Sequence, residues 1–499
     1  MNDWPHLLVY LRDKLDYSIK VVGESLGFRL FEIDLSSWRL RLSHNTKIIW
    51  ISSSDLKAAN TRHIYESIQD VIREQGLSAQ TVLILLDGKK RLIRRFIASP
   101  FENMVVLGDD DTENIIHSNR PSAILQDIIF EQIPISLLAP YETTTPVTGS
   151  RFFGRDSEIT RLISNPDTNH LILGIRRIGK TSLLREVERL LNQKKDGPHV
   201  IYMDCSDLTT TNDFVREVVR KLEPRELPRI DLQKYIFYFP NFLERMRAKY
   251  HKKLVLVLDE IDRLIISQRG DWEVFRLLRI ASNNGDCRYI VAGFGEGQKA
   301  AHELDSPFYN FAQLVYLNEF THQQAKELIV RPMENLRIHI LNPDEIVSRI
   351  YEETAGYPNL MQYYCTVLIR RLEQTGEREI NTTSLINVYR DEAFKNHLLT
   401  SFFQNTHNRE KAVAYAVINN SDLNWQRGFN QSQIDASLRR QNLPMPIVEI
   451  DAACGVLKMA GFLRQKGRDY FFSSSVFVNV LLDSYDPDFL LRKVKEEGL

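Results

Sequence analysis

The segment GIRRIGKTS at 174–182 fits G-x-x-x-x-G-K-[ST], a spacing whose chemistry is phosphate binding. Main-chain amides at such a turn, and at the start of the helix that follows, face anionic oxygens. Gly174 opens the turn, Gly179 permits close approach, and Lys180 neutralises phosphate charge. The Thr181 hydroxyl can ligate Mg²⁺, and Ser182 completes the set of candidate nucleotide contacts. Further along, LVLVLDEIDRL at 254–264 puts Asp259 and Glu260 at the end of an apolar run. Asp259 is placed to hold Mg²⁺ through water, and Glu260 to orient or deprotonate an attacking water, because phosphoryl transfer is mainly positioning and electrostatics. Acids that cap a strand are common in loops, so the pair takes its meaning from the lysine-bearing loop upstream.

These side chains need a scaffold. Apolar runs at 171–173, 200–203, 254–258, 289–292 and 314–317 alternate with helical stretches. That rhythm predicts a parallel sheet covered by helices on both faces, with the phosphate loop between a strand and a helix beginning near Lys180. From 321 onward the strand signals vanish, and 321–333, 343–354 and 358–373 have helical periodicity, predicting a helical subdomain over 321–395. Upstream, APYETTTPVTGS breaks both periodicities, so 141–150 reads as a linker between residues 1–140 and a core at 151–320.

Residues 1–140 predict a small α/β domain: a helix at 4–17, strands in FRLFEIDL, WRLRLS and KIIWIS, then a helix at 55–74, a strand at 81–86, a helix at 89–98, a strand at 104–107 and a helix at 122–132. Residues 396–499 predict helices at 409–417, 431–441 and 447–460 followed by a hairpin in FLRQKGRDYFFS, the element order of a winged helix.

Composition bounds the partners. The 499 residues suit about three domains, and 43% apolar with 26% charged residues is an ordinary folded composition. Lys plus Arg number 64 against 65 for Asp plus Glu, so no global basic field exists to hold nucleic acid or an anionic membrane. No apolar run approaches the ~20 residues of a membrane span. Cys205, Cys287, Cys365 and Cys454 form no CxxC pair, which predicts free thiols in a reducing, cytoplasmic setting.

The order FFGRDSEI, GIRRIGKTSLL, LDEIDRL, YIVAGFGEG, SPFYNF, LNEFTHQQAKELIVRPM and AGYPNLMQYYC resembles a STAND-type P-loop ATPase, a signal-transducing branch of AAA+-like proteins, over 152–373. The resemblance implies an α/β P-loop NTPase fold with a helical lid and a C-terminal winged helix, using ATP or ADP with Mg²⁺. It implies that Phe153, Gly154 and Arg155 lie beside the adenine and that Pro358 touches the base from the lid. The plain alternative for Pro358 is a helix start. Arg176 and Arg177 match a double arginine of this group, although exposed loop arginines would look the same.

The chain departs from the group at Gly293, Phe294 and Gly295, where relatives usually carry a polar sensor, which implies slow hydrolysis. Arg276, Arg279, Arg288 and Arg331 are equal candidates for an arginine finger. The resemblance further implies a nucleotide-dependent homo-oligomer that relays a signal to a protein partner through one of the flanking domains, in prokaryotic regulation or antiviral defence.

Two alternatives stand beside it. One resembles archaeal origin-recognition initiators and would bind DNA, yet the helix at 447–460 carries Glu449, Asp451 and only Lys458, leaving Arg439, Arg440, Arg464, Lys466 and Arg468 for backbone contact. The other is an ATP-gated nuclease, for which Asp87, Gly88 and Lys89 lie at a strand end while KIIWISSS lacks an acid-x-Lys pattern.

Overall fold

Runs of Val, Ile and Leu bounded by turn residues become the strands of two five-stranded sheets. The computed structural model describes residues 4–42, 45–78, 80–97, 102–165, 167–229, 235–303, 305–309, 312–386 and 388–498. The chain divides into two compact units. One comprises Met1–Tyr141, Val330–Leu341 and Cys365–Asn381, and the other Glu142–Ile329, Asn342–Tyr364 and Thr382–Leu499. The segment read from the sequence as one lid is thus shared between them. Within the first unit, Ser136 donates to Glu373 and Arg337 pairs with Asp127, which ties one helical residue and one turn residue of the 321–395 segment to the N-terminal region.

The first unit is built on strands β1 (Ile19–Ser25), β2 (Phe28–Ile33), β3 (Thr46–Ile51), β4 (Val82–Leu86) and β5 (Met104–Leu107), in that spatial order. β1 to β3 are antiparallel and β3 to β5 parallel. Helix Thr61–Glu74 lays Ile64, Ile68, Val71 and Ile72 on a core with Ile49, Ile84 and Val106.

Several expectations shift here. The helix at 55–74 is two, Ser53–Ala58 and Thr61–Glu74, each started by its own side-chain cap, Ser52 and Asn60. The helix at 89–98 is a single turn, Arg91–Arg94, and its last position lies outside the described residues. WRLRLS is not a strand: Trp38, Leu40 and Leu42 are buried in alternation, but the Arg41 amide donates to the Leu138 carbonyl instead of a ladder. β1 and helix Asp109–His117 had no sequence counterpart.

The second unit holds β6 (His170–Leu173), β7 (His199–Asp204), β8 (Leu254–Asp259), β9 (Cys287–Gly293) and β10 (Gln313–Tyr316), all parallel in the order β10-β6-β9-β8-β7. This is the predicted parallel core. β8 buries all six of its side chains. Five are aliphatic, each contributing about 1.5–3 kcal/mol, and that gain outlasts burial of the sixth, Asp259, only if its carboxylate is fully hydrogen-bonded.

After β10 come helices His322–Asn335, Pro343–Thr354 and Pro358–Thr375, with two-residue strands β11 (His339–Ile340) and β12 (Glu379–Ile380) pairing within the first unit. Helix Glu392–Asn405 follows, then Asn408–Ile418, Gln431–Arg440 and Ile447–Met459. A three-stranded antiparallel sheet joins β13 (Phe429–Asn430), β14 (Leu463–Lys466) and β15 (Asp469–Phe472), with β15 central. Among the described residues no helix is long and apolar enough to cross a membrane.

Candidate functional site

β6 ends at Leu173, and the next six residues turn into helix Lys180–Gln193. Gly174 has no room for a side chain, since a Cβ there would lie 2.9 Å from Ile178 Cγ2 and 3.2 Å from Leu317. Gly179 meets a different demand: nothing crowds it, but its φ of 104° belongs to the region that favours glycine. Both glycines keep the loop tight against the helix N-terminus, where the first amides have no partner inside the helix.

Lys180 is only 4% exposed. Its Nζ donates to the carbonyl oxygens of Gly174 at 2.8 Å and Ile175 at 3.0 Å. An ammonium has three donors, so these two bonds leave one for an anionic oxygen. Burial pulls its pKa down, against the attraction of Glu260, Asp259 and Asp262, which places those carboxylates within electrostatic reach.

Asp259 is 1% exposed, and both its oxygens are engaged. Oδ2 accepts from the Tyr202 hydroxyl at 2.9 Å, and Oδ1 from the Glu260 amide at 3.0 Å. Glu260 adopts φ 52°, a left-handed conformation that costs a non-glycine residue about 1–3 kcal/mol and tends to mark functional sites. Burial raises the Glu260 carboxyl pKa while Lys180 opposes the shift.

Asp262, two residues on, has a structural duty. Its carboxylate accepts from the amides of Phe294, Glu296 and Gly297 at the start of helix Gly295–His302. Gly293 makes this possible, because a Cβ there would lie 3.1 Å from Asp262 Oδ2. The turn at Gly293–Gly295, where relatives usually carry a polar sensor, is therefore filled by the carboxylate of Asp262, the first residue of helix Asp262–Gln268.

The remaining sequence candidates divide. Thr181 is half-buried at the helix start. Ser182 Oγ accepts from the Val147 amide at 3.2 Å, and Glu186 accepts from the Gly149 amide, so the helix's first two turns anchor the 142–151 segment. Phe153 is half-buried. Gly154, at φ 66°, lies under Phe320. Arg155 is buried, pairs with Glu158 at 3.1 Å and donates to the Asn318 carbonyl, so its guanidinium ties the start of helix Asp156–Ser164 to the segment that follows β10.

Pro358 is buried at the first position of its helix. The neighbouring Tyr357 packs so closely on Gly461 that a Cβ there would lie 1.7 Å from its hydroxyl. Among the finger candidates, Arg288 is buried and spends its guanidinium on the Leu162 and Asn165 carbonyls, whereas Arg276, Arg279 and Arg331 are exposed.

Arg176 and Arg177 meet helix Glu392–Asn405, which the sequence reading missed. The Arg176 amide donates to Asn405 Oδ1 at 3.1 Å, and Asn405 Nδ2 is fixed on the Ser401 carbonyl. Arg177 donates to His397 Nδ1 at 3.4 Å, and the other His397 ring nitrogen meets Asn359. One neutral tautomer satisfies both contacts, and burial with Arg177 nearby depresses the His397 pKa to about 4. Apolar positions Phe394, Leu398 and Phe402 behind an Asp391 cap could have revealed this helix.

In the C-terminal segment, Arg439 pairs with Asp435, Arg440 with Asp422 and Arg409 with Glu449, so much of the basic charge is already neutralised. In the first unit, Asp87 accepts from the Trp50 indole and Lys90 pairs with Asp111.

The donor set fits a nucleoside phosphate with a divalent cation: a buried ammonium with a free donor, helix N-terminal amides, the hydroxyl of half-buried Thr181 at the helix start, and an oriented Asp259 carboxylate within electrostatic reach of Lys180. Comparison with known proteins bears on the family and fold of this region. The AAA domain family model matches residues 165–298, and the model of Novel STAND NTPase 2 matches residues 240–422. In structure the chain is similar to the Walker-type ATPase paby2304 of Pyrococcus abyssi, at 18% identity, covering 69% of this chain and 99% of that one, with a TM-score of 0.50. It is also similar to the Aeropyrum pernix ORC2 protein, solved as ADPNP–ADP complexes, at 14% identity over 69% of this chain and 95% of that one, with a TM-score of 0.49. No curated protein matches its sequence. Across residues 165–422 the chain is a STAND-type P-loop ATPase of the AAA+ kind.

Proposed function

We propose that the protein is an ATP-binding switch that hydrolyses ATP slowly, assembles with copies of itself when ATP is bound, and relays that state to a protein partner. Gly174, Gly179 and Lys180 bind the phosphates, with Lys180 turning its remaining N–H to an oxygen. Thr181 and Asp259 hold Mg²⁺, which when bound neutralises charge on the transferred phosphoryl group. Glu260 aligns the attacking water. Phe153, Gly154, Arg155 and Pro358 frame the base side through backbone and packing, and Arg176 and Arg177 face the phosphate side.

The observation that carries the switch reading is the grip of helix Glu392–Asn405 on the phosphate loop. Asn405 Oδ1 occupies an amide of the loop that binds anions, so a phosphate oxygen needing the Arg176 N–H must displace it. Most of the helix, including His397 and Asn405, lies within the 396–499 segment, which we take as a winged helix, and release at the loop is thereby coupled to that domain. The proposed divisions are 1–140 as a sensor or adaptor, 151–320 as the ATPase core, 321–395 as the lid and 396–499 as the winged helix. Light scattering with ATP, ADP and no nucleotide, on wild type and Glu260→Gln, tests this. The expected result is a larger particle with ATP that persists longer in Glu260→Gln, and one particle mass under all conditions contradicts it.

A further inference from the structure

β7 and β8 run parallel with Tyr202 opposite Val257. Side chains alternate along a strand, so Val257 and Asp259 share a face with Tyr202. The distance from Val257 to Asp259 along β8 is about 6.6 Å, two residues at ~3.3 Å each, which the length of a tyrosine side chain spans. The ring thus lies along the neighbouring strand and delivers its hydroxyl to Asp259 Oδ2 at 2.9 Å. Among the described residues β7 is an edge strand with a neighbour only on the β8 side, so the ring needs a second support. Arg185 supplies it: its guanidinium sits 3.3 Å from the Tyr202 ring centroid, and Glu188 steadies it at 3.0 Å. Arg185 belongs to helix Lys180–Gln193, the helix that begins with Lys180 and Thr181.

We infer that Tyr202 is a positioning residue for the cation side of the nucleotide site, holding the Asp259 carboxylate in register with the Thr181 helix through the Arg185–Tyr202–Asp259 chain. The inference rests on the nucleotide reading above. With the Glu260 amide on Oδ1 and the Tyr202 hydroxyl on Oδ2, the plane of the carboxylate is set from both sides. Each oxygen keeps acceptor capacity for a metal-bound water. Loss of the hydroxyl leaves Oδ2 with one donor fewer and the carboxylate free to turn about its last bond.

The test is titration of mant-ADP into full-length wild type, Tyr202→Phe, Asp259→Ala and the double variant, with EDTA and across Mg²⁺ concentrations. Phe keeps the ring packing, so the fold is retained, and circular dichroism melting checks that. For Tyr202→Phe the Mg²⁺ concentration giving half of the metal-dependent gain should rise roughly tenfold, as for loss of a hydrogen bond to a charged group, with the EDTA affinity within twofold of wild type. In the Asp259→Ala background the same substitution should change nothing further. Equal weakening with and without Mg²⁺ would show a merely structural tyrosine and overturn the inference, as would an unchanged Mg²⁺ dependence. Wild type that binds no mant-ADP under any condition contradicts the nucleotide reading itself, and the inference falls with it.

Discussion

Two strand-end loops in this chain use the same ingredients, glycine, lysine and aspartate, with opposite results. In the first unit, after β4 and β5, Lys90 bonds Asp111 at 2.8 Å, the Asp111 carboxylate caps the Gly108 amide, and the Asp109 amide donates to the Gly88 carbonyl. Gly108 fits so tightly that a Cβ would lie 2.6 Å from the Lys90 amide nitrogen and 2.7 Å from the Gly88 oxygen. Charge and amide are neutralised from within. In the second unit, after β6 and β8, the buried ammonium of Lys180 is given to carbonyl oxygens, while Asp259 takes neutral donors. A lysine and an aspartate are kept near each other without being spent on each other. Composition alone does not separate the two loops; what separates them is which charges remain available to a ligand.

The largest contrast should come from Lys180→Ala. Removing the free donor is expected to lower ATP affinity by two orders of magnitude or more, since hydrogen bonds to charged groups contribute about 1.5–3 kcal/mol each and the charge is lost as well. Isothermal titration reads it, and a variant that binds ATP as wild type does would erase the distinction between the loops. Next is Gly108→Ala in the other loop. The methyl meets main-chain atoms that cannot swing away, so a loss of about 1–3 kcal/mol of stability is expected, with ATP affinity unchanged. Urea unfolding alongside a titration separates those readouts, and a loss of ATP binding at full stability would mean the first loop is no mere structural turn.

The smallest effect concerns Asn405→Ala, which frees the Arg176 amide from one neutral hydrogen bond of about 1 kcal/mol. Nucleotide association should quicken roughly fivefold, measured by stopped-flow with mant-ATP. An unchanged rate would mean that the helix does not compete for the phosphate loop.

Legibility followed sequence distance. The phosphate loop and the acids of β8 were readable because each is a local pattern: a fixed glycine and lysine spacing, and an apolar strand ending in two carboxylates. β7 and β9 were readable as apolar runs, yet the Tyr202 bond to Asp259 was not, since it depends on strand register. Asn405 is remote from Arg176 in sequence, so their hydrogen bond depends on tertiary packing that no local pattern around either residue encodes. WRLRLS shows the reverse error, where alternating burial was real but no neighbouring strand supplied a ladder. Gly293 read as a missing sensor, whereas its lack of a side chain lets Asp262 reach three amides. In each case the residue types were visible, and the partners that gave them a role came from another element.

The central claim is that the loop around Lys180 binds an adenine nucleotide. Its most direct test is to denature freshly purified wild type and Lys180→Ala, identify any released nucleotide by chromatography, and titrate Mg-ATP into whichever protein releases none. Adenine nucleotide from wild type, or saturable binding to it, with neither in Lys180→Ala, is the predicted result. A wild-type protein that releases no nucleotide and binds no ATP, or a Lys180→Ala protein that matches it, would contradict the account.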